Sequence, residues 1–485
     1  MQNKIMLITY PDSFGRNLKE LYQAIHTHFA RELGAIHILP FYPSSGDRGF
    51  APIDYQQVAP EFGTWENIDA LAKDYEIMAD FMINHLSKRS REFRDFVEKH
   101  DESAYAHLFL RFRDFWENGY PTQEEIDLLN KRKPCAPCVD ISFRDGTTEK
   151  IWCTFDDEQM DLDLRQDAAW DFVKRTLDNL VKHHIPLIRL DALAFATKKP
   201  GTTCFFLEPD FWELIGRVRD MLAGTGVELL PEIHDHYTRQ LAIARHGYYV
   251  YDFVLPVMVL HTLYTHSGTR LRHWLNICPR KQYTTLDTHD GLGTVDVVDL
   301  LSKEELEAVI RQTEKYGANF KWDYSKDSQG AKVVYQINCS YYSALGEDDQ
   351  AYLLARAIQL FMPGKPQVWY LDLFVGKNDY EGMKRAGKDG HKEINRTNLS
   401  GEDVRRGLEK QVVQDQLTLL RMRNTQAVFS ENAAISAKTE GSSLYLTWET
   451  ETDQAELSAN LDSCAFTVKV LEKANDKVLF QFRQE

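Results

Sequence analysis

The chain has 485 residues, with 57 Lys and Arg against 73 Asp and Glu for a formal net charge of −16, and 43% of it is hydrophobic. A chain this long and apolar buries a large core, which excludes wholesale disorder. Its acidic balance, without a Lys/Arg block, argues against nucleic-acid and anionic-membrane partners, and no run approaches the ~18 apolar residues of a spanning helix.

MQNKIMLITY at the N-terminus runs directly into a strand-like segment, without the apolar core of a secretory signal. Seven cysteines are few and odd in number, as reduced thiols would be. The expectation is a soluble cytoplasmic protein.

Eight short apolar runs rich in β-branched and aromatic residues follow one another along the chain: 6–10, 35–42, 77–83, 186–193, 227–234, 248–255, 282–289 and 367–373. Their nearly continuous hydrophobicity suits parallel strands covered on both faces. Amphipathic stretches lie between them. Trp170, Val173, Leu177 and Leu180 recur at helical spacing within 166–184, and Phe211, Leu214, Ile215 and Val218 do so within 209–222. Asp167 and Asp210 stand at the expected helix starts, where an acid favours the free N–H groups.

Eight strands alternating with helices predict an α/β fold, a closed (β/α)₈ TIM barrel. A doubly wound open sheet is the rival, and it lacks a G-x-G-x-x-G after any strand. The barrel is expected over 1–85, 165–290 and 350–424. Stretches 86–164 and 291–349 are too long for loops and read as inserted subdomains. Alternating runs at 443–448, 465–471 and 477–482 predict a small C-terminal antiparallel β-domain at 425–485.

Barrel chemistry sits at the C-terminal ends of the strands. Those ends carry Asp80, Asn84 and His85, then Arg189 and Asp191, then Glu232 and His234, then His289 and Asp290. Asp191, Glu232 and Asp290 each interrupt an apolar run, where a charge is costly unless paired or functional. Each alone reads equally well as an ordinary strand-end charge. Three on different strands of one barrel favour chemistry on a glycosidic bond, which needs one ionised and one protonated carboxyl. Arg189, two residues before Asp191 and on the same strand face, is expected to depress that carboxyl's pKa.

IRLDA (188–192), PEIH (231–234), THD (288–290) and DFMINH (80–85) resemble four recurrent motifs of the α-amylase family of glycoside hydrolases. SSGDRGFAPIDY (44–55), VYDFVLP (250–256), YQINCSYYSALGEDDQ (335–350) and EINR (393–396) resemble its sucrose phosphorylase branch. The resemblance implies Asp191 as nucleophile, Glu232 as acid/base and Asp290 as transition-state stabiliser, with His85, Arg189 and His289 lining the glucose subsite; His234 reads as a substrate-binding neighbour of Glu232. The resemblance further implies an Asp47–Arg396 pair at the far edge of the sugar, Phe50 and Phe155 as aromatic walls, and phosphate met by Arg132 with Tyr335 and Gln336.

The implied substrates and products are sucrose, inorganic phosphate, α-glucose 1-phosphate and fructose, through a retaining double displacement without cofactor or metal. Members of the branch are commonly homodimers. Relatives preferring sucrose 6′-phosphate tend to carry histidine at the Tyr335 position. Val333 departs from an acidic residue common in the branch, which leaves acceptor preference open. Phosphorylases of sucrose 6′-phosphate, glucosylglycerol or glucosylglycerate, and a sucrose hydrolase, remain alternatives. A non-catalytic scaffold on the same barrel fits poorly, because all three carboxylates are present. Cys135-Ala-Pro-Cys138 has no second ligand pair to complete a zinc site. No oxygen-ligand cluster near Asn84 is strong enough to predict calcium.

Overall fold

The computed structural model describes residues 3–326 and 332–485. Eight strands form one parallel sheet: β1 (Met6–Thr9), β2 (Ala35–Ile38), β3 (Glu76–Met82), β4 (Leu187–Asp191), β5 (Glu228–Pro231), β6 (Val250–Asp252), β7 (Gln282–Thr284) and β8 (Lys365–Trp369). Their order is β6–β7–β8–β1–β2–β3–β4–β5, so that chain neighbours are sheet neighbours, as in a (β/α)₈ barrel. The predicted fold class is the one observed.

Every expected run contains a strand, but several ladders stop early. The run 35–42 is strand only to Ile38, and 282–289 only to Thr284. Leu39, Phe41, Tyr42 and Leu286 remain buried without a ladder. An apolar run reports burial, and here it continues past the last sheet hydrogen bond into covered turns.

The chain comprises two compact units: Ile38–Ile233 with Asp323–Val333, and Met1–His37 with His234–Trp322 and Val334–Glu485. In the first, β3 and β4 pair so that Met82 stands beside Asp191, and β4 and β5 so that Leu190 stands beside Pro231. Helices Asp167–Lys182 and Asp210–Met221 cover this part, burying Trp170, Val173, Leu177, Leu180, Phe211, Leu214, Ile215 and Val218. Each such side chain contributes roughly 1.5–3 kcal/mol when fully buried. The stretch after β3 adds two antiparallel pairings, the long-range His85–Ser87 with Gln159–Asp161 and the hairpin Cys138–Ser142 with Thr148–Trp152. An aromatic cluster of Phe112, Phe115, Trp116 and Trp152 packs beneath the second.

In the other unit, five strands from Ala434–Glu440 to Lys477–Gln484 form a sequential antiparallel sheet. Period-two burial places Leu444, Leu446 and Trp448 on its inner face. Among the described residues, no helix is long and apolar enough to cross a membrane. The seven cysteines are free thiols.

Candidate active site

In the first unit the site is organised by Arg189 on β4, only 2% exposed. Its Nη1 donates to Asp80 Oδ1 at 2.5 Å and to Asp191 Oδ1 at 2.7 Å. Its Nη2 lies 3.9 Å from Glu232 Oε1. Three carboxylates from three adjacent strands thus share one guanidinium, whose planar fork suits several acceptors at once. Directly after Asp191 the chain turns through Ala192, which adopts the left-handed φ of 55° and donates its N–H to Glu232 Oε2 at 3.3 Å.

Phe50 lies under the Arg189 guanidinium, with its ring 5.7 Å away. It is delivered by the turn Asp47–Gly49, in which Asp47 and Arg48 both have left-handed φ. Gly49, at φ 110°, is needed because a Cβ there would stand 2.7 Å from Pro40 O. The Phe50 carbonyl accepts from His85 Nε2 at 2.8 Å. Burial pulls the His85 pKa below its usual value, so the neutral Nε2–H tautomer makes this bond.

The His85 ring meets Phe155 edge-on at 5.5 Å, and Arg132 lies over Phe155 at 6.0 Å and over Phe195 at 5.8 Å. Arg189, Phe50, His85, Phe155 and Arg132 are therefore one contiguous series. Asp47 is exposed on its turn. Beside Asn84, the Lys198 ammonium is bound by Asn84 Oδ1 at 2.8 Å, Asp161 at 2.7 Å and Phe195 O at 2.6 Å.

In the second unit the THD segment after β7 is clasped by the EINR segment after β8. Asn395 Nδ2 donates to Asp287 Oδ1 at 2.8 Å, and Arg396 Nε to the His289 carbonyl at 2.8 Å. Asp290 is surrounded by basic groups. Lys392 Nζ donates to Oδ1, His289 Nε2 is 3.3 Å from Oδ2, and Arg396 Nη2 is 3.9 Å from Oδ1. Burial raises the Asp290 pKa, but His289, Lys392 and Arg396 outweigh it and hold the carboxyl well below its usual range. Tyr10 presents its ring to both His289 and Arg396.

His234 stacks on Phe253, with centroids 3.9 Å apart, and its Nδ1 is 3.3 Å from Asp296 Oδ2. Gly293 makes room for this pair, since a Cβ there would collide with Asp296 Oδ2 and stand 3.0 Å from His234 Nδ1. Gly293 pairs with Gln336, and the ring of Tyr335 meets His234 edge-on at 6.4 Å. Gln336 is buried, whereas Val333 is exposed.

A family model described as the catalytic domain of α-amylase matches residues 26–213. A sucrose phosphorylase of Streptococcus mutans is 49% identical over 437 residues, covering 90% of each chain. The chain belongs to the α-amylase family, in its sucrose phosphorylase branch. A glucosylglycerol phosphorylase of Marinobacter adhaerens is 36% identical, over 92% of each chain. The crystal structure of sucrose 6F-phosphate phosphorylase from Thermoanaerobacter thermosaccharolyticum is 37% identical with a TM-score of 0.96, covering 100% of this chain and 99% of the other.

One expectation for this branch member is corrected by the structure. Arg189 does lower the Asp191 pKa, but burial, together with Glu232 and Asp80, pushes it up by more, and the net direction is upward. The i,i+2 spacing identified the partner correctly. It carried no information about desolvation or about carboxylates arriving from other strands.

Sequence reasoning also passed over Lys392, Asp296 and the direct part of Asp80. Asp80 had a signal, a charge inside the apolar run of β3. Lys392 had none, because a lysine in a polar loop reads as solvated.

Proposed function

We propose that this protein catalyses the reversible phosphorolysis of sucrose to α-D-glucose 1-phosphate and D-fructose. The observation that carries the reading is the buried Arg189 shared by Asp191 and Glu232, in a chain so similar to a sucrose phosphorylase along nearly its whole length.

Asp191 attacks the anomeric carbon while Glu232 gives its proton to the departing fructosyl oxygen. A proton on Glu232 removes one of the charges that raise the Asp191 pKa, so arming the acid also frees the nucleophile. The product of this half-reaction is a β-glucosyl ester of Asp191. Phosphate then attacks from the side fructose has left, with Glu232 as its base or hydrogen-bond partner, and two inversions give net retention. Retaining enzymes hold the two carboxyls ~5–5.5 Å apart.

Asp290, kept ionised by its cations, stabilises the positive charge that develops on the sugar. Phe50 and Phe155 serve as walls for the glucosyl unit, with His85, His234, His289, Asp47 and Arg396 as its polar contacts. Arg132 meets the phosphate together with Tyr335 and Gln336. Arg132, half-buried against two aromatic rings, brings a cation to this side of the site. Free thiols fit a reducing compartment, and the reading places the reaction in the cytoplasm.

The test is product analysis of sucrose with and without inorganic phosphate. Glucose 1-phosphate and fructose appearing only with phosphate support the reading. Free glucose at equal rates in both makes the protein a hydrolase. Fructose 6-phosphate released from sucrose 6′-phosphate, with sucrose untouched, moves it to the neighbouring specificity.

A further inference from the structure

We propose that Lys133 is a positioning residue for Arg132, fastening the loop that carries it and thereby setting how well phosphate competes with water for the glucosyl-enzyme. This rests on the phosphorylase reading and on the phosphate role given there to Arg132.

Lys131, Arg132 and Lys133 form a basic triplet that reads as a solvated turn. Lys131, 22% exposed, pairs with the exposed Asp127 at 3.4 Å. Lys133 is held on the inner side. Its side chain is 14% exposed, and its Nζ donates to Cys153 Sγ at 3.0 Å and to Asp157 Oδ1 at 3.0 Å. Burial pulls the Lys133 pKa down, but the thiol and the carboxylate push it up to about 12, so the ammonium is charged across the physiological range. Cys153 is fully buried, and burial pushes its thiol up to about 12. It is an inert acceptor rather than a nucleophile.

The two partners of Lys133 stand two residues before and two residues after Phe155, the ring on which Arg132 rests. The lysine therefore grips both sides of the support used by its neighbour. Two backbone bonds close the loop at its ends, Asn130 N to Thr203 O at 2.9 Å and Cys153 N to Pro137 O at 2.8 Å. Between these anchors Lys133 fastens the middle of the loop to the 153–157 segment. With the loop fixed, Arg132 needs only to swing its side chain to meet a dianion, and less freedom is lost on binding. Attack by water has no need of that cation.

The experiment compares phosphorolysis with phosphate-free hydrolysis of sucrose in Lys133→Met, Lys133→Arg, Arg132→Ala and the double variant Lys133→Met/Arg132→Ala. In K133M the ratio of phosphorolysis to hydrolysis should fall about fivefold and KM for phosphate should rise, with hydrolysis within about twofold of the parent. K133R should recover at least about half of the ratio, since it keeps the charge and reach. The double variant should be no worse than R132A, because a positioning residue has nothing left to position.

Equal losses of both reactions in K133M, an unchanged ratio, or additive losses in the double variant would overturn the proposal. R132A lowering the ratio while K133M does not sinks the proposal alone. R132A leaving the ratio unchanged sinks the phosphate role of Arg132 and, with it, this inference. Should K133M fail to fold, Lys133→Gln is judged by the same criteria.

Discussion

Lys392 donates to the carboxylate of Asp290 across 102 residues of sequence. With His289 and Arg396 it makes three basic groups around one buried acid, whose pKa is held well below its usual range, so the acid is ionised more firmly in the folded chain than in the unfolded one. A depressed carboxylate pKa contributes stability that is fully present above the unfolded value and is lost only as pH falls through the folded one. Lys392→Met leaves His289 and Arg396 in place and should cost about 1 kcal/mol, or about 1 °C in Tm for a chain of this length. The loss should be the same at about pH 6 and pH 8. Thermal melts at both values check it; an unchanged Tm would show that the lysine adds nothing to the pairing.

Asp191 has the opposite sign. Its pKa is raised on folding, mainly by burial, so its ionised form costs stability above the folded value, and that cost disappears as pH falls toward the unfolded one. Asp191→Asn keeps an acceptor for Arg189 without the charge. Turnover should fall by at least about 10⁴-fold, since no nucleophile remains. Tm should rise by about 1 °C at about pH 8, with the gain fading toward pH 5. Normal sucrose turnover by this variant would refute the nucleophile assignment.

Glu232→Gln separates proton donation from attack. Loss of a general acid typically costs about 10²–10⁴-fold on a leaving group that needs a proton. Sucrose phosphorolysis should drop into that range. Turnover of α-glucosyl fluoride, whose fluoride departs without a proton, should stay within about tenfold of the parent. Comparable losses on both substrates would argue against the acid/base role.

Arg189→Met should threaten the fold itself. Asp80 is fully buried and Asp191 largely so, and both lose their guanidinium. Removing one partner of a buried charge cluster costs about 3–5 kcal/mol. Denaturant unfolding should show that loss, and adding Asp80→Asn should restore part of it. If the single variant is as stable as the parent, Arg189 is not the keystone of these carboxylates.

What the amino-acid order determined is the alternation of apolar runs and helical stripes, and hence the barrel, the late antiparallel sheet and the polar residues at strand ends. These depend on periodicity and on motifs a few residues long. The residues proposed for the site, Asp191, Glu232, His85, Arg189, His289, Asp290 and Arg396, all fall in such motifs. Only the tertiary structure decided how the acids ionise. Asp191 and Asp290 both read as strand-end acids in the sequence, yet one pKa moves up and the other down. Desolvation and Coulomb interaction sum over every neighbour in space; beside the adjacent His289, Lys392 and Arg396 act on Asp290, and Glu232 and Asp80 on Asp191, and these are remote in sequence. Lys133 shows the same limit at the loop of Arg132: its buried thiol and carboxylate partners lie 20 and 24 residues away, and no local pattern marks them.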